Sequence, residues 1–288
     1  MKHFFVAAAI LLGLRCAARG EPAIWLVQGR SARVYLFGTM HILPKQGTWF
    51  GPKIAAAFGD SQEVWQEADV GLLQKQSVPS IMSQAVAPDL DLWAKLPSAT
   101  AEKFRGELKT CHLPPGVVAH FRPWFATMLP TMCQLTEQSG SALVDGAEGP
   151  EGILLSRAKG AGKQIKFFET AEQQIGYLAN SPESVQLKQL GDAIDQAATG
   201  KDDFAGMESA WLAGDEPALA KQIADTKKTD ADFYATIFTQ RNQRFAAKIA
   251  ELLSGHANIF VAIGAGHLAG PDSVQVQLET RQIASKRL

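Results

Sequence analysis

A strand that breaks into Gly-x-x-His occurs twice in this chain, once near each end, and that duplication constrains the fold more than any other feature. Val34-Tyr35-Leu36-Phe37 runs into Gly38-Thr39-Met40-His41, and Ile259-Phe260-Val261-Ala262-Ile263 runs into Gly264-Ala265-Gly266-His267. Glycine lets the backbone turn sharply at a strand end, and open α/β sheets present ligand sites at the carboxyl ends of their strands. The expectation is two strands side by side, each delivering one imidazole, His41 and His267, to a shared cleft. A neutral imidazole suits either a metal ligand or a general base. His112, His120 and His256 have no such setting and read as surface or structural residues.

Carboxylates follow two further strand-like runs. Val64 to Val70 carries Glu67 and Asp69 at its end, with Glu63 before it, and Gln164 to Phe168 is followed by Glu169. A carboxylate beside two imidazoles either completes a divalent-metal site or acts as the base on a bound water, and sequence does not separate these roles. A cation comes from the helical segment Asp230 to Leu253. Its apolar stripe runs Phe238, Phe245, Ile249 and Leu252; at helical periodicity Arg241 and Asn242 fall within roughly 60° of it, whereas Arg244 points away. An arginine beside a buried face needs a carboxylate, carbonyls or a ligand, because burying an unpaired charge is costly.

With 288 residues and 46% hydrophobic content, the chain has enough material for one sizeable α/β domain. A formal net charge of -1 argues against a nucleic-acid footprint, which needs a basic face. Lys2, the apolar run Phe4 to Leu14, and small residues at Ala18 and Gly20 read as an export signal over residues 1–20. The apolar run is too short to span a bilayer, so no stable membrane insertion is expected after cleavage. The expected compartment is periplasmic or extracellular. Cys111 and Cys133 are then the two cysteines of the mature chain, and an oxidising compartment favours pairing them, with two free buried thiols as the other reading.

Ala23 to Gln28 and Ala32 to Phe37 form a hairpin signal, and Ile42 to Trp49, with Pro44 and Gly47, reads as a loop over the site. From about 71 to 226 the pattern is mainly helical, with helices expected at Thr100–Lys109, Pro115–Gln138, Glu151–Gly160, Ala171–Ala179 and Ser184–Ala198. Thr170 and Gln173 fit a capping box. The expected organisation is one domain over residues 21–288, α/β, with a central mixed sheet and a large helical insertion.

Together these residues resemble the TraB/GumN family, whose relatives include the Tiki metalloproteases and, more distantly, ChaN-like and erythromycin-esterase-like proteins. The resemblance rests on Val34 to His41, Glu67-Ala68-Asp69, Arg122-Pro123-Trp124, the Gly152 to Gly162 helix, Phe168-Glu169-Thr170 with Gln173, Arg241-Asn242, and Val261 to Gly270. It implies two pseudo-symmetric Gly-x-x-His motifs facing one cleft. The Tiki branch implies metal-dependent peptide cleavage, with manganese or cobalt favoured and zinc as a further candidate. Carried over residue by residue, His41, Glu67 and His267 match the metal or catalytic positions and Arg241 the family's arginine; Glu169 and Asn242 match further motif positions. The chain departs from the pattern at Pro271-Asp272-Ser273, where the family continues Pro-Asp-Gly, and at Arg281 or a neighbour, where a late glycine is usual.

Three functions compete at this point: an exported metal-dependent hydrolase acting on a peptide or small molecule, a metal-independent ester or amide hydrolase with a histidine base, and a non-catalytic peptide-binding or regulatory protein.

Overall fold

The computed structural model describes residues 20–40, 49–69, 78–139, 149–199 and 204–288. Its strands are β1 (Ile24–Gln28), β2 (Arg33–Thr39), β3 (Glu63–Gln66), β4 (Gln164–Phe167), β5 (Ile259–Gly264) and β6 (Ser285–Arg287), in one mixed sheet ordered β4-β3-β5-β2-β1-β6. The hairpin β1–β2 is antiparallel, and β6 closes the edge antiparallel to β1. The strands β4, β3, β5 and β2 run parallel to one another.

The longer helices are α1 (Pro52–Asp60), α2 (Val78–Ala85), α3 (Ser98–Thr110), α4 (Leu129–Ser139), α5 (Pro150–Gly160), α6 (Ala171–Ala179), α7 (Glu183–Ala198), α8 (Phe204–Ala213), α9 (Glu216–Thr229), α10 (Gln240–Leu252) and α11 (Val274–Glu279). The period of two along β5 assigns its neighbours. Ile259, Val261 and Ile263 face a core built with Phe245 and Ile249 of α10 and Val274 and Leu278 of α11. Phe260 and Ala262 face the other core, with Ile54 and Phe58 of α1, Leu154 of α5 and Trp211 of α8. Burial on both faces is why β5 reads as an unbroken apolar run.

Helices fill the chain between β3 and β4 and again between β4 and β5. Part of this material forms a separate apolar layer, with Phe104 and Leu108 of α3, Leu129 and Cys133 of α4, and Leu190 and Ile194 of α7. Cys111 and Cys133 are disulfide-bonded there, with Cα atoms 4.7 Å apart.

Three expected elements differ. The helix foreseen over Pro115–Gln138 is divided into Pro115–Val118, Pro123–Ala126 and α4. Phe121 bridges to Val86, and extended Arg122 donates its N–H to Ala85, so the backbone before Pro123 leaves the helix. The strand foreseen to Val70 ends at Gln66, because the next N–H along the β5 edge, at Gly264, goes to the Glu67 side chain; Val70 lies outside the described residues. The segment Asp230–Leu253 is not one regular helix. Asp230 caps a turn at Ala231–Tyr234, a π-helical turn covers Ala235–Thr239, and α10 follows. The loop foreseen over Ile42–Trp49 falls outside the described residues up to 48, as does the export signal up to 19.

Replacing Cys111 and Cys133 together by alanine should cost about 2–4 kcal/mol of stability, read as a lower urea midpoint. An unchanged midpoint would mean that the helical layer does not depend on the link.

Candidate functional site

Parallel pairing brings four strand ends to one edge of the sheet. Thr39 of β2 stands opposite Gly264 of β5, and Gln66 of β3 pairs with both Ala262 of β5 and Phe167 of β4. Close approach is built in at Gly38, where a Cβ would lie 3.0 Å from the Ala265 Cα. One residue past β3, Glu67 turns its carboxylate across this edge. Two residues past β4, Glu169 does the same, held by its N–H on the Glu67 carbonyl at 2.8 Å.

Arg241, in the first turn of α10, ties these groups together. Its Nη2 lies 2.6 Å from Glu67 Oε2 and 2.7 Å from Glu169 Oε2, and its Nε donates to both Glu169 oxygens. Its Nη1 donates to His267 Nε2 at 3.0 Å and to the Ile237 carbonyl of the π turn at 3.4 Å. All five N–H groups of the guanidinium are therefore committed. Burial disfavours the Arg241 charge, but the hydrogen bond to Glu169 and the charges of Glu67 and Glu169 outweigh it and raise the group above its ordinary value. The three side chains are nearly sealed, at 6%, 8% and 4% exposure for Arg241, Glu67 and Glu169. Gln174 of α6 donates to Glu67 Oε2, and Tyr177 donates to Glu169 Oε1.

His267 lies in a 3₁₀ turn, Ala265–Leu268, between the rings of Phe238 and Phe245. Its tautomer follows from its neighbours. Asn242 Nδ2 donates to the Asp272 carbonyl at 2.8 Å, which leaves Asn242 Oδ1 facing His267 Nδ1 at 2.6 Å as an acceptor. His267 Nδ1 thus carries the proton, and the Nε2 lone pair faces Arg241 and, at 3.4 Å, Glu67 Oε1. The Ser273 departure is absorbed locally: its hydroxyl caps α11 by accepting from the Val276 N–H, after Gly270 at φ +85°.

Above this floor opens a cavity of about 420 Å³. Its walls are largely apolar, with Met40, Met207 of α8, Leu219 and Ile223 of α9, and Phe238; Thr39, Glu67, Gln222, Arg241 and His267 supply the polar side chains of the lining. An apolar cleft with a few convergent polar groups is the usual form of a small-molecule or substrate site.

A sequence model of the TraB/PrgY/gumN family matches residues 23–287. The chain belongs to that family. An uncharacterized protein of Treponema pallidum (strain Nichols) is 22% identical over 275 residues, covering 88% of this chain and 79% of that protein. No solved structure matches the chain.

Of the site residues expected from sequence, the fold brings together Glu67, Glu169, Arg241, Asn242 and His267, drawn from four separate segments of this TraB/PrgY/gumN chain. His41 lies outside the described residues, one position after Met40 on the cavity wall. Glu63 is elsewhere, paired with Lys166 at 2.8 Å. Sequence reasoning missed Gln174, Tyr177 and the Gly264 N–H. The first two lie on α6 just beyond the Thr170–Gln173 capping box, which is formed, so the capped helix start was the available signal.

A divalent ion meets a mixed reception. His267 Nε2 and Glu67 Oε1 are suitable donors, and their 3.4 Å separation matches two ligands of one tetrahedral ion, about 3.3–3.5 Å apart for bonds of about 2.0–2.1 Å. Coordination at Nε2 would displace the Arg241 hydrogen bond. Among the described residues no group of three His, Cys, Asp or Glu side chains converges as a metal cage; the pair fits an ion only with a further ligand.

Arg241→Met should lose about 3–5 kcal/mol, because two buried carboxylates would face each other without their cation; urea denaturation reads this, and a loss under about 1 kcal/mol would contradict a buried charged triad. Asp272 gives a pH test. Burial would raise its carboxyl, but hydrogen bonds from Lys227 and Tyr234, the Lys227 charge and Thr239 hold it below the usual carboxylate value. Stability from a depressed carboxyl is fully present above the unfolded value of about 3.9 and is lost as pH falls through the lower folded value. Acidification from about pH 4 should therefore destabilise wild type more than Asp272→Asn; parallel curves would refute the assignment.

Proposed function

We propose that this protein is an exported metal-dependent hydrolase, peptidase-like, that cleaves an amide bond over the polar floor of the cavity. One observation carries the reading: a sealed carboxylate, guanidinium and neutral imidazole converge at strand ends beneath an apolar cavity open to a ligand. Buried charge of this kind is costly to assemble, and apolar packing would hold α10 to the sheet equally well.

In this reading His41, Glu67 and His267 hold a divalent ion, manganese or cobalt by family resemblance and zinc as the further candidate. When bound, such an ion lowers the pKa of water and polarises a carbonyl. The chain's own groups do the rest. Asn242 keeps the His267 proton on Nδ1 and leaves Nε2 as the donor atom. Arg241, with its N–H groups committed, contributes positive potential to the developing oxyanion through a low-dielectric path. Met207, Leu219, Ile223 and Phe238 exclude water and receive an apolar group of the substrate. Met40 places the strand that leads to His41 at the same cavity, which supports two motifs acting on one cleft. Export is supported by the N-terminal apolar run and by the Cys111–Cys133 link, which suits an oxidising compartment.

A second reading keeps the pocket without the ion. It is favoured by the hydrogen bond from Arg241 to His267 Nε2, which already puts a cation where the ion would bind. His267, oriented by Asn242, is then a general base once that bond opens.

Metal analysis and peptide cleavage by the mature chain decide between them. Stoichiometric manganese, cobalt or zinc, lost together with cleavage in His41→Ala and His267→Ala, is the expected result, with Glu67→Gln slowed about 10²-fold or more. Apo protein after purification with those metals sinks the ion, and chelator-resistant turnover selects the histidine base. Peptide bound tightly and recovered at its original mass selects a binding protein instead.

A further inference from the structure

Thr39 closes β2 and lines the cavity with Glu67, Arg241 and His267. It is 2% exposed, and its hydroxyl oxygen has no hydrogen-bond partner among the described residues. Across the ladder, Gly264 gives its N–H to Glu67. A buried hydroxyl without a partner is costly, whereas valine has the same shape, no such cost, and a preference for strands. The packing of the fold therefore does not account for threonine at this position. Rotation about χ1 exchanges a threonine's hydroxyl and methyl between staggered positions, so the hydroxyl can turn toward a ligand without backbone movement.

The neighbouring groups define what it would meet. Every N–H of Arg241 is already spent on Glu67, Glu169, His267 and Ile237. Glu67 accepts from Gly264, Gln174 and Arg241. The floor thus supplies charge, but no uncommitted N–H from its guanidinium, to a carbonyl oxygen that gathers negative charge during hydrolysis. A hydroxyl is a neutral donor that can fill this role.

We infer that Thr39 contacts the substrate, donating its hydroxyl proton in a hydrogen bond to the carbonyl oxygen of the amide held over Glu67 and His267. The inference rests on the hydrolase reading above.

The test uses the full mature chain with Thr39→Val and Thr39→Ser, a mixture of internally quenched peptides with added manganese, and urea denaturation. Thr39→Val should cleave with kcat/KM about tenfold lower, the worth of one such hydrogen bond, while unfolding at the same or a higher urea midpoint. Thr39→Ser should keep cleavage near the wild-type rate. Cleavage by Thr39→Val at the wild-type rate overturns the inference. So does a lower urea midpoint, which would reveal a structural partner for the hydroxyl. Should the wild type leave every peptide intact, the hydrolase reading fails separately, and the contact is read from peptide binding by fluorescence anisotropy. Weaker binding to Thr39→Val than to wild type then supports it; equal binding, or none to either, overturns it.

Discussion

Arg241 sits where a positive charge is hardest to keep, in a nearly sealed space at the strand ends, and two carboxylates make that position tenable. Glu67 reaches it from the end of β3, Glu169 from the end of β4, and His267 from the turn after β5. Each contact joins a different strand to α10, so the guanidinium sets the distance between helix and sheet edge as well as the charge of the floor. Removing one carboxylate would leave the other members with unpaired polar atoms in a low-dielectric space, which is why such clusters behave as units.

The same cluster ties chemistry to packing. Phe245 belongs to the core under the sheet and also flanks the His267 ring. Asn242, adjacent to Arg241 on α10, fixes the imidazole through a bond to the Asp272 carbonyl. The π turn just before α10 contributes as well, because the Ile237 carbonyl accepts from the arginine. Single-turn π bulges are frequent at functional sites, and here the bulge is bonded directly to the site's cation.

Much of this was legible in the sequence for a physical reason. Strands buried on both faces need continuous apolar runs, so β2 and β5 stood out, and their glycine endings marked the sheet edge. The helical stripe of Phe245 and Ile249 placed Arg241 and Asn242 at a buried face. What sequence did not reveal were contacts made at right angles to any periodicity. Gln174 and Tyr177 meet their carboxylates because α6 starts where β4 ends, which no spacing within α6 encodes. Within 115–138 the break at Pro123 did have a local signal, since a proline turns the residue before it out of the helix; the Val86–Phe121 bridge that fixes the extended backbone there is long-range and has none. The π turn is invisible for a different reason: no residue of Ala235–Thr239 marks a π turn in the sequence, and the bond from Arg241 to the Ile237 carbonyl, four residues back, is local to the same helical segment.

The position of β5 has a kinetic consequence. It is fifth in sequence yet third in the sheet, inserted between β3 and β2, so those two strands have no common neighbour until it arrives. A chain synthesised only as far as β4 holds two exposed apolar strand edges and no floor, since α10 and His267 come afterward. Closing contacts so distant in sequence is slow, and half-built sheets with open edges are prone to aggregate. The site is therefore one of the last features to form, and a chain interrupted before β5 has none.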